Sequence, residues 1–249
     1  LTGEVELLAW DTAFFGFPVG RADLGGADDA ALAAIEADAH RLGIACLYAT
    51  LEAEHLTSPV ATGVLAQRRG FRLIEVSLVL ECPATLAAAP DPGDGPPPTD
   101  VVRDGTPADV AALGDCIDRL AHWSRFAADP RFGLAAARRL VEAGVDRAAR
   151  GAEDRQLLVA EACSGPVGFA TITCAGGEPS IELISTVAPD TGVARRLVEE
   201  VQARTGRRPM VLGQIAARNT ACLRFFERLG CRTVGTRAHL HRWFDEATP

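Results

Sequence analysis

Apolar and polar positions along the chain fall into short blocks whose period switches between that of a strand and that of a helix. Residues 4–10 predict a strand, followed by Asp11-Thr12-Ala13-Phe14-Phe15-Gly16-Phe17-Pro18, a turn-rich aromatic segment leading into Val19-Gly20-Arg21. Over 28–42, Ala31, Leu32, Ile35, Ala39 and Leu42 recur at three- and four-residue spacing, with Asp28 and Asp29 at the start and Gly43 after the end. That is a helix with its polarity marked at both ends. Residues 44–51 predict a buried strand, 59–69 a helix closed by Gly70, and 71–80 an alternating strand. The order β-α-β-α-β implies an α/β layer.

Between 85 and 100 the sequence TLAAAPDPGDGPPPTD carries no apolar period, and its prolines remove backbone donors. We read it as a linker between an N-terminal domain, 1–84, and a C-terminal domain, 101–249. The second domain opens with a strand at 101–103. Thr106 can then cap a helix over 107–120, with Pro107 in its first position and Asp109 favouring its amino end. A polar and aromatic connector, 122–132, precedes a long amphipathic helix to about residue 150. Residues 156–163 and 167–174 pair as a hairpin around Gly165-Pro166. A strand at 181–187, a helix at 192–205, a strand at 210–215 and a helix at 219–229 closed by Gly230 come next. A last strand or strand pair covers 233–244.

Composition narrows the chemistry. Apolar residues make up 48% and charged residues 23%, as in soluble globular proteins. All 25 basic residues are arginine. The absence of lysine excludes a Walker A phosphate loop, a Schiff-base or pyridoxal-phosphate lysine and a kinase-type lysine. A net charge of −8 disfavours a nucleic-acid partner. No run of about 18 apolar residues occurs, and no basic segment precedes an apolar one at the start, so a cytoplasmic protein with no membrane partner is expected. The seven cysteines are scattered without a C-x-x-C pair. They read as reduced and mostly buried, with neither a disulfide framework nor a metal site.

The strand at 181–187 delivers a Gly-containing loop onto a helix amino end, a place with free N–H groups and positive partial charge for a phosphate. About thirty residues on, Asn219-Thr220-Ala221-Cys222-Leu223-Arg224-Phe225-Phe226-Glu227-Arg228-Leu229-Gly230-Cys231 resembles the N-x-x-A-x-x-x-Y-E-K-x-G-F signature of the GNAT family of acyl-CoA-dependent N-acyltransferases. The loop at Pro189-x-x-Gly192-x-Ala194 then resembles that family's pyrophosphate motif, with Pro189 in place of the usual Arg or Gln. The resemblance implies a GNAT fold over 101–243, a mixed central sheet flanked by helices, behind a smaller truncated GNAT-like α/β domain. A narrower resemblance, to the dTDP-fucosamine acetyltransferase group, comes from Trp10-Asp11-x-x-Phe14-Phe15-Gly16 and Ser124-Arg125-Phe126-x-x-Asp129-x-Arg131-Phe132. It makes Asp11, Phe14, Phe15, Ser124, Arg125, Asp129 and Arg131 candidate acceptor-binding residues, for a nucleotide-linked aminosugar. The aromatics among them also fit a packed core.

The family resemblance implies that the amine of a small molecule attacks the thioester of acetyl-CoA or another acyl-CoA directly, with no metal. By position, the backbone of Val187 would address the pantetheine and thioester carbonyl. The N–H groups at Gly192, Val193 and Ala194, with Arg195, would meet the pyrophosphate, and Asn219 the pantetheine arm. Glu182 is the candidate base, although a strand salt bridge would equally explain it. The position usually held by an acidic tyrosine is Phe226, which lines the same helix and cannot donate a proton. Cys222, His239 and His241 are the alternative donors, and a thiolate leaving group needs little help. An acyl carrier protein as donor, or a catalytically silent binding module, are the competing readings. A homodimer is the candidate assembly.

Overall fold

The structure is a computed structural model that describes residues 4–52, 62–87, 101–173, 179–187 and 191–244. In chain order the first half contains β1 (Glu6–Leu7), α1 (Ala9–Phe15), β2 (Val19–Asp23), α2 (Asp29–Arg41), β3 (Cys46–Glu52), α3 (Thr62–Arg68) and β4 (Arg72–Cys82). There follow β5 (Val101–Asp104), α4 (Gly114–Ala121), α5 (Arg125–Ala128), α6 (Gly133–Ala149), β6 (Arg155–Ala162), β7 (Gly165–Thr173) and β8 (Ser180–Thr186). The chain ends with α7 (Val193–Arg204), β9 (Met210–Ala216), α8 (Thr220–Arg228) and β10 (Arg232–Trp243). Among the described residues, no helix is long and apolar enough to cross a membrane.

Two compact units emerge, one of 1–78 with 235–249 and one of 79–234. The division falls inside β4 and β10. The expected domain at 101–249 is therefore amended, because its last strand from Gly235 builds the first unit. Of the expected linker at 85–100, residues 88–100 lie outside the described residues.

The first unit carries the strand order β1-β2-β3-β10-β4. β2 runs parallel to β3, and β10 runs antiparallel to it. Alternation puts Leu47, Ala49 and Leu51 on one face of β3, where they pack with Ala238 and Leu240 of β10 and with Leu32, Ile35 and Ala39 of α2. Asp28 caps α2 by accepting from the Ala31 N–H at 2.8 Å, as the sequence implied. The expected strand at 4–10 is corrected: only Glu6–Leu7 pairs, and Ala9–Phe15 is a helix. The cause is the spacing of Trp10 and Phe14, which one turn of helix stacks at 4.9 Å between ring centroids. Gly16, at φ +80°, closes that helix by donating to Thr12 O.

The second unit has the order β4-β9-β8-β7-β6-β5, antiparallel from β5 to β8 and parallel between β8 and β9. The helix expected over 107–120 is interrupted. Asp109 accepts from the Thr106 N–H at 2.7 Å and pairs with Arg103, closing a single 3-10 turn at Pro107–Asp109 before α4 begins at Gly114. Side chains alternate along β8 and sort the helices into layers. Ser185 Oγ donates to the Cys116 carbonyl of α4 at 2.8 Å, and Leu183 lies beside Gly144 of α6. On the other face Thr186 meets Val193 of α7 over Gly168, where a β-carbon would come within 3.0 Å of both. The flanked mixed sheet expected from the sequence is the architecture found.

The expectation of reduced cysteines fails at one pair. Cys82, at the end of β4, is disulfide-bonded to Cys231, at the residue before β10. Cys46, Cys116, Cys163 and Cys222 are not disulfide-bonded, and Cys174 lies outside the described residues.

Candidate active site

Among the described residues, β8 pairs with β9 at Ser180 with Val211 and at Ile181 with Leu212. Past these positions, a cleft of about 320 Å³ lies against the end of β8. The α4 side contributes Arg119, Leu120 and Trp123, and β8 contributes Ile184, Ser185 and Thr186. Thr191, Gly192, Ala194 and Arg195 at the start of α7 line the opposite side, and Asn219, Cys222, Phe225 and Phe226 come from α8 and its cap.

A bulge at Glu182 sets the register of β8. Thr171 pairs with Leu183 while Ile172 pairs with Ile181, and Thr171 Oγ accepts from the Leu183 N–H at 3.1 Å. Downstream, the Val187 N–H donates to Val167 O at 2.9 Å. The amide expected to address a thioester is thus committed to β7, and Val187 does not line the cleft. Alternation turns the peptide groups of Ile184 and Thr186 the opposite way, to the side of β9.

Gly192 adopts φ +80° and ψ −8° as the cap of α7, a conformation that favours glycine. The N–H groups of Val193 and Ala194 fall in the first turn, where no intrahelical acceptor exists. Arg195 is held by Glu199 at 2.7 Å and by the Ala87 carbonyl at 2.9 Å. Pro189 lies outside the described residues. Asn219 Oδ1 caps α8 by accepting from the Cys222 N–H at 3.2 Å, so its NH2 is what it can offer a ligand.

Phe226 is buried against Phe225, edge to face at 4.9 Å. Burial pushes the Cys222 thiol up to about 11. It keeps its proton at neutral pH and releases it less readily than an ordinary alkyl thiol near 8.5. Cys222 can donate a hydrogen bond, but it is a poor acid toward a departing thiolate.

The other candidates stand elsewhere. Glu182 makes a two-pronged ion pair with Arg155, at 2.7 and 3.2 Å, and does not line the cleft. Arg155 also meets Glu153, which pairs with Arg147, so Glu182 ends a surface network. His239 and His241 belong to the first unit, both buried, with His239 Nε2 2.8 Å from Ser77 Oγ and the His241 ring 4.9 Å from that of Tyr48.

Asp11, Phe14 and Phe15 lie on α1 of the first unit, whereas Ser124, Arg125, Asp129 and Arg131 lie in the second. Ser124 caps α5 by accepting from the Phe126 N–H, and Arg125 stacks its guanidinium over the Phe126 ring at 4.7 Å. Buried Asp129 accepts from the Arg131 N–H at 3.0 Å, closing the turn into α6. Sequence reasoning missed the α4 wall. Trp123 at its end is clamped by Arg218, which stacks 5.2 Å from the ring and donates to His122 O at 3.1 Å and Ser124 O at 3.4 Å. The pairing of Trp123 with an arginine 95 positions later carries no local signal.

No protein-family model matches the sequence, and no curated protein matches it. Solved structures do. A functionally unknown conserved protein from Staphylococcus epidermidis ATCC 12228 superposes with a TM-score of 0.67 at 14% identity, over 96% of this chain and 90% of the other. A GCN5-related N-acetyltransferase from Kribbella flavida gives 0.59 at 15% identity, over 99% and 90%. The chain has the GNAT fold. A tandem GNAT protein from the clavulanic acid biosynthesis pathway, solved without AcCoA, gives 0.51 at 12% identity, over 92% and 76%. That likeness fits a GNAT-fold chain made of two α/β units. At these identities the likeness is one of fold.

Proposed function

We propose that this protein transfers an acyl group, acetyl or another, from an acyl-CoA to the amine of a small molecule. The observation that carries the proposal is the cleft between the end of β8, the amino end of α7 and α8, on the GNAT fold. The residues present fit such a thioester. The first-turn N–H groups of α7 and Arg195 suit the pyrophosphate. The Asn219 NH2 and the outward peptide groups of Ile184 and Thr186 suit the amide-bearing arm. When bound, acyl-CoA supplies an activated acyl carbon and a thiolate leaving group. A new N–C bond then forms as the C–S bond breaks, and the proton shed by the amine nitrogen ends on the thiolate through solvent.

The chain contributes alignment and dipoles more than proton transfer. No carboxylate is among the described residues that line the cleft. Glu182 is engaged by Arg155, and Phe226 offers an apolar wall where an acid is expected. The amine therefore enters neutral or gives its proton to water, and the thiolate departs unaided. A nucleotide-linked aminosugar is the candidate acceptor by the narrower sequence resemblance. The cytoplasm, where acyl-CoA is abundant, is the proposed compartment.

Phe226 and the engaged Glu182 also favour a second reading, a GNAT-fold module that binds acyl-CoA without turning it over. Titration calorimetry with acetyl-CoA, followed by mass spectrometry of a panel of amines incubated with protein and acetyl-CoA, tests both. Binding with acylated product supports transfer. Binding without any product supports the second reading, and absence of binding overturns both.

A further inference from the structure

The lining of the cleft has a charge pattern that the acyl donor does not exhaust. The chain holds 33 acidic against 25 basic residues, yet among the described lining residues there are two arginines and no carboxylate. Arg195 is already tied to Glu199 and to the Ala87 carbonyl, on the α7 side where the donor's pyrophosphate would lie. Arg119 differs. It is exposed on α4, across the sheet from α7, and makes no hydrogen bond or ion pair with any described residue.

Asp115 sits one turn before it at helical ion-pair spacing and is not engaged by it either. Beside Arg119 the wall is apolar, with Leu120 and Trp123, and the Trp123 ring is fixed by Arg218. A guanidinium at an apolar wall, with no carboxylate among the described lining residues to neutralise it, attracts an anionic oxygen pair. On the acyl-transfer reading the donor's phosphates would lie at the amino end of α7, on the other face of the sheet, which leaves the second substrate to meet Arg119.

We infer that Arg119 selects an amine acceptor bearing an anionic group, a carboxylate or a phosphate, and that the cleft discriminates against polycationic amines. The inference rests on the acyl-transfer reading above and names its acceptor class. Charge-assisted pairing of this kind is worth about 10- to 100-fold in affinity.

The test uses the full chain with acetyl-CoA and two matched acceptor pairs, phenylalanine against phenylalaninamide and glucosamine 6-phosphate against glucosamine. The expected result is a preference of about tenfold or more in kcat/KM for the anionic member of at least one pair. The carboxylate and phosphate arms show which anion it is. Arg119→Gln should erase that preference through the acceptor KM while the KM for acetyl-CoA stays put, and Arg208→Gln, exposed and outside the cleft, should behave as wild type.

A readout independent of turnover is inorganic phosphate added to protein saturated with CoA. It should raise the melting temperature of wild type and of Arg208→Gln, but not of Arg119→Gln. Transfer that is indifferent to acceptor charge, an effect of Arg119→Gln confined to the acetyl-CoA KM, or equal stabilisation of all three proteins by phosphate would overturn the inference while sparing the transfer reading. Failure of acetyl-CoA to bind overturns both.

Discussion

Breaking the Cys82–Cys231 bond should lower the stability of this protein by an amount the topology sets. The two cysteines are 149 residues apart in sequence, so the bond closes most of the second unit into one loop. The chain-entropy relation for a loop of that size gives about 5 kcal/mol as an upper figure. Local contacts hold part of the geometry without the bond. The Ala87 N–H donates to Leu229 O at 3.0 Å, and Gln202 Nε2 donates to Pro83 O at 2.6 Å, both next to the disulfide.

At about 2–4 °C per kcal/mol for a chain of this size, a fall in melting temperature of roughly 10–20 °C is the ceiling. The assay is differential scanning calorimetry of native protein, of protein treated with a dithiol reductant, and of the Cys82→Ser, Cys231→Ser double variant. Mass spectrometry after denaturing alkylation counts the thiols. Reduction should expose two further alkylation sites, and the double variant should melt with the reduced wild type. Two extra labels on unreduced protein, or an unchanged melting temperature after complete reduction, would refute the reasoning.

Phe226→Tyr tests whether the missing hydroxyl limits the rate. Single-turnover transfer should speed up if protonation of the thiolate is partly limiting, and an unchanged rate means position 226 is not a vacant proton donor. Glu182→Gln should leave transfer nearly intact, since its carboxylate serves Arg155, and a loss of about 100-fold or more would reinstate it as the base. Gly192→Ala should cost roughly 1–2 kcal/mol through its positive φ alone, because a β-carbon there meets no atom within 4 Å, and should weaken acetyl-CoA binding measured by calorimetry. The Arg103 guanidinium, with help from Thr106, holds the Asp109 carboxyl at about 2 instead of 3.8. A depressed carboxyl contributes stability above its unfolded pKa and loses it as pH falls, so Asp109→Asn should flatten the drop in melting temperature between about pH 4 and pH 2.

What the sequence disclosed was local. The helix start at Asp28 was legible because its cap acts on an N–H three residues away, whereas the cap at Asn219 was not read. The helical period over 28–42 and the turn at Gly165 were legible for the same reason. Pairings between distant strands were not. The cleft at the end of β8 depends on how β8, α7 and α8 come together, which none of them encodes alone. A single-residue alternation decided that Thr186, not Val187, faces the opening. Arg119 gave no sign, because an exposed arginine on a helix acquires meaning only when a cleft lies beside it. The disulfide was hidden by a separation of 149 positions.

The placement of β10 has a consequence for the order of folding during synthesis. That strand lies between β3 and β4, which precede it by 150 positions or more. The ribosome delivers the helices and the other strands of the first unit early, but their sheet has a gap in its middle until β10 emerges. The second unit, nearly continuous from 79 to 234, can close first. The first unit must wait with two inner strand edges open, exposed to the wrong partners that unpaired edges attract. A strand made about 150 positions after its neighbours is therefore the one that closes the sheet they begin.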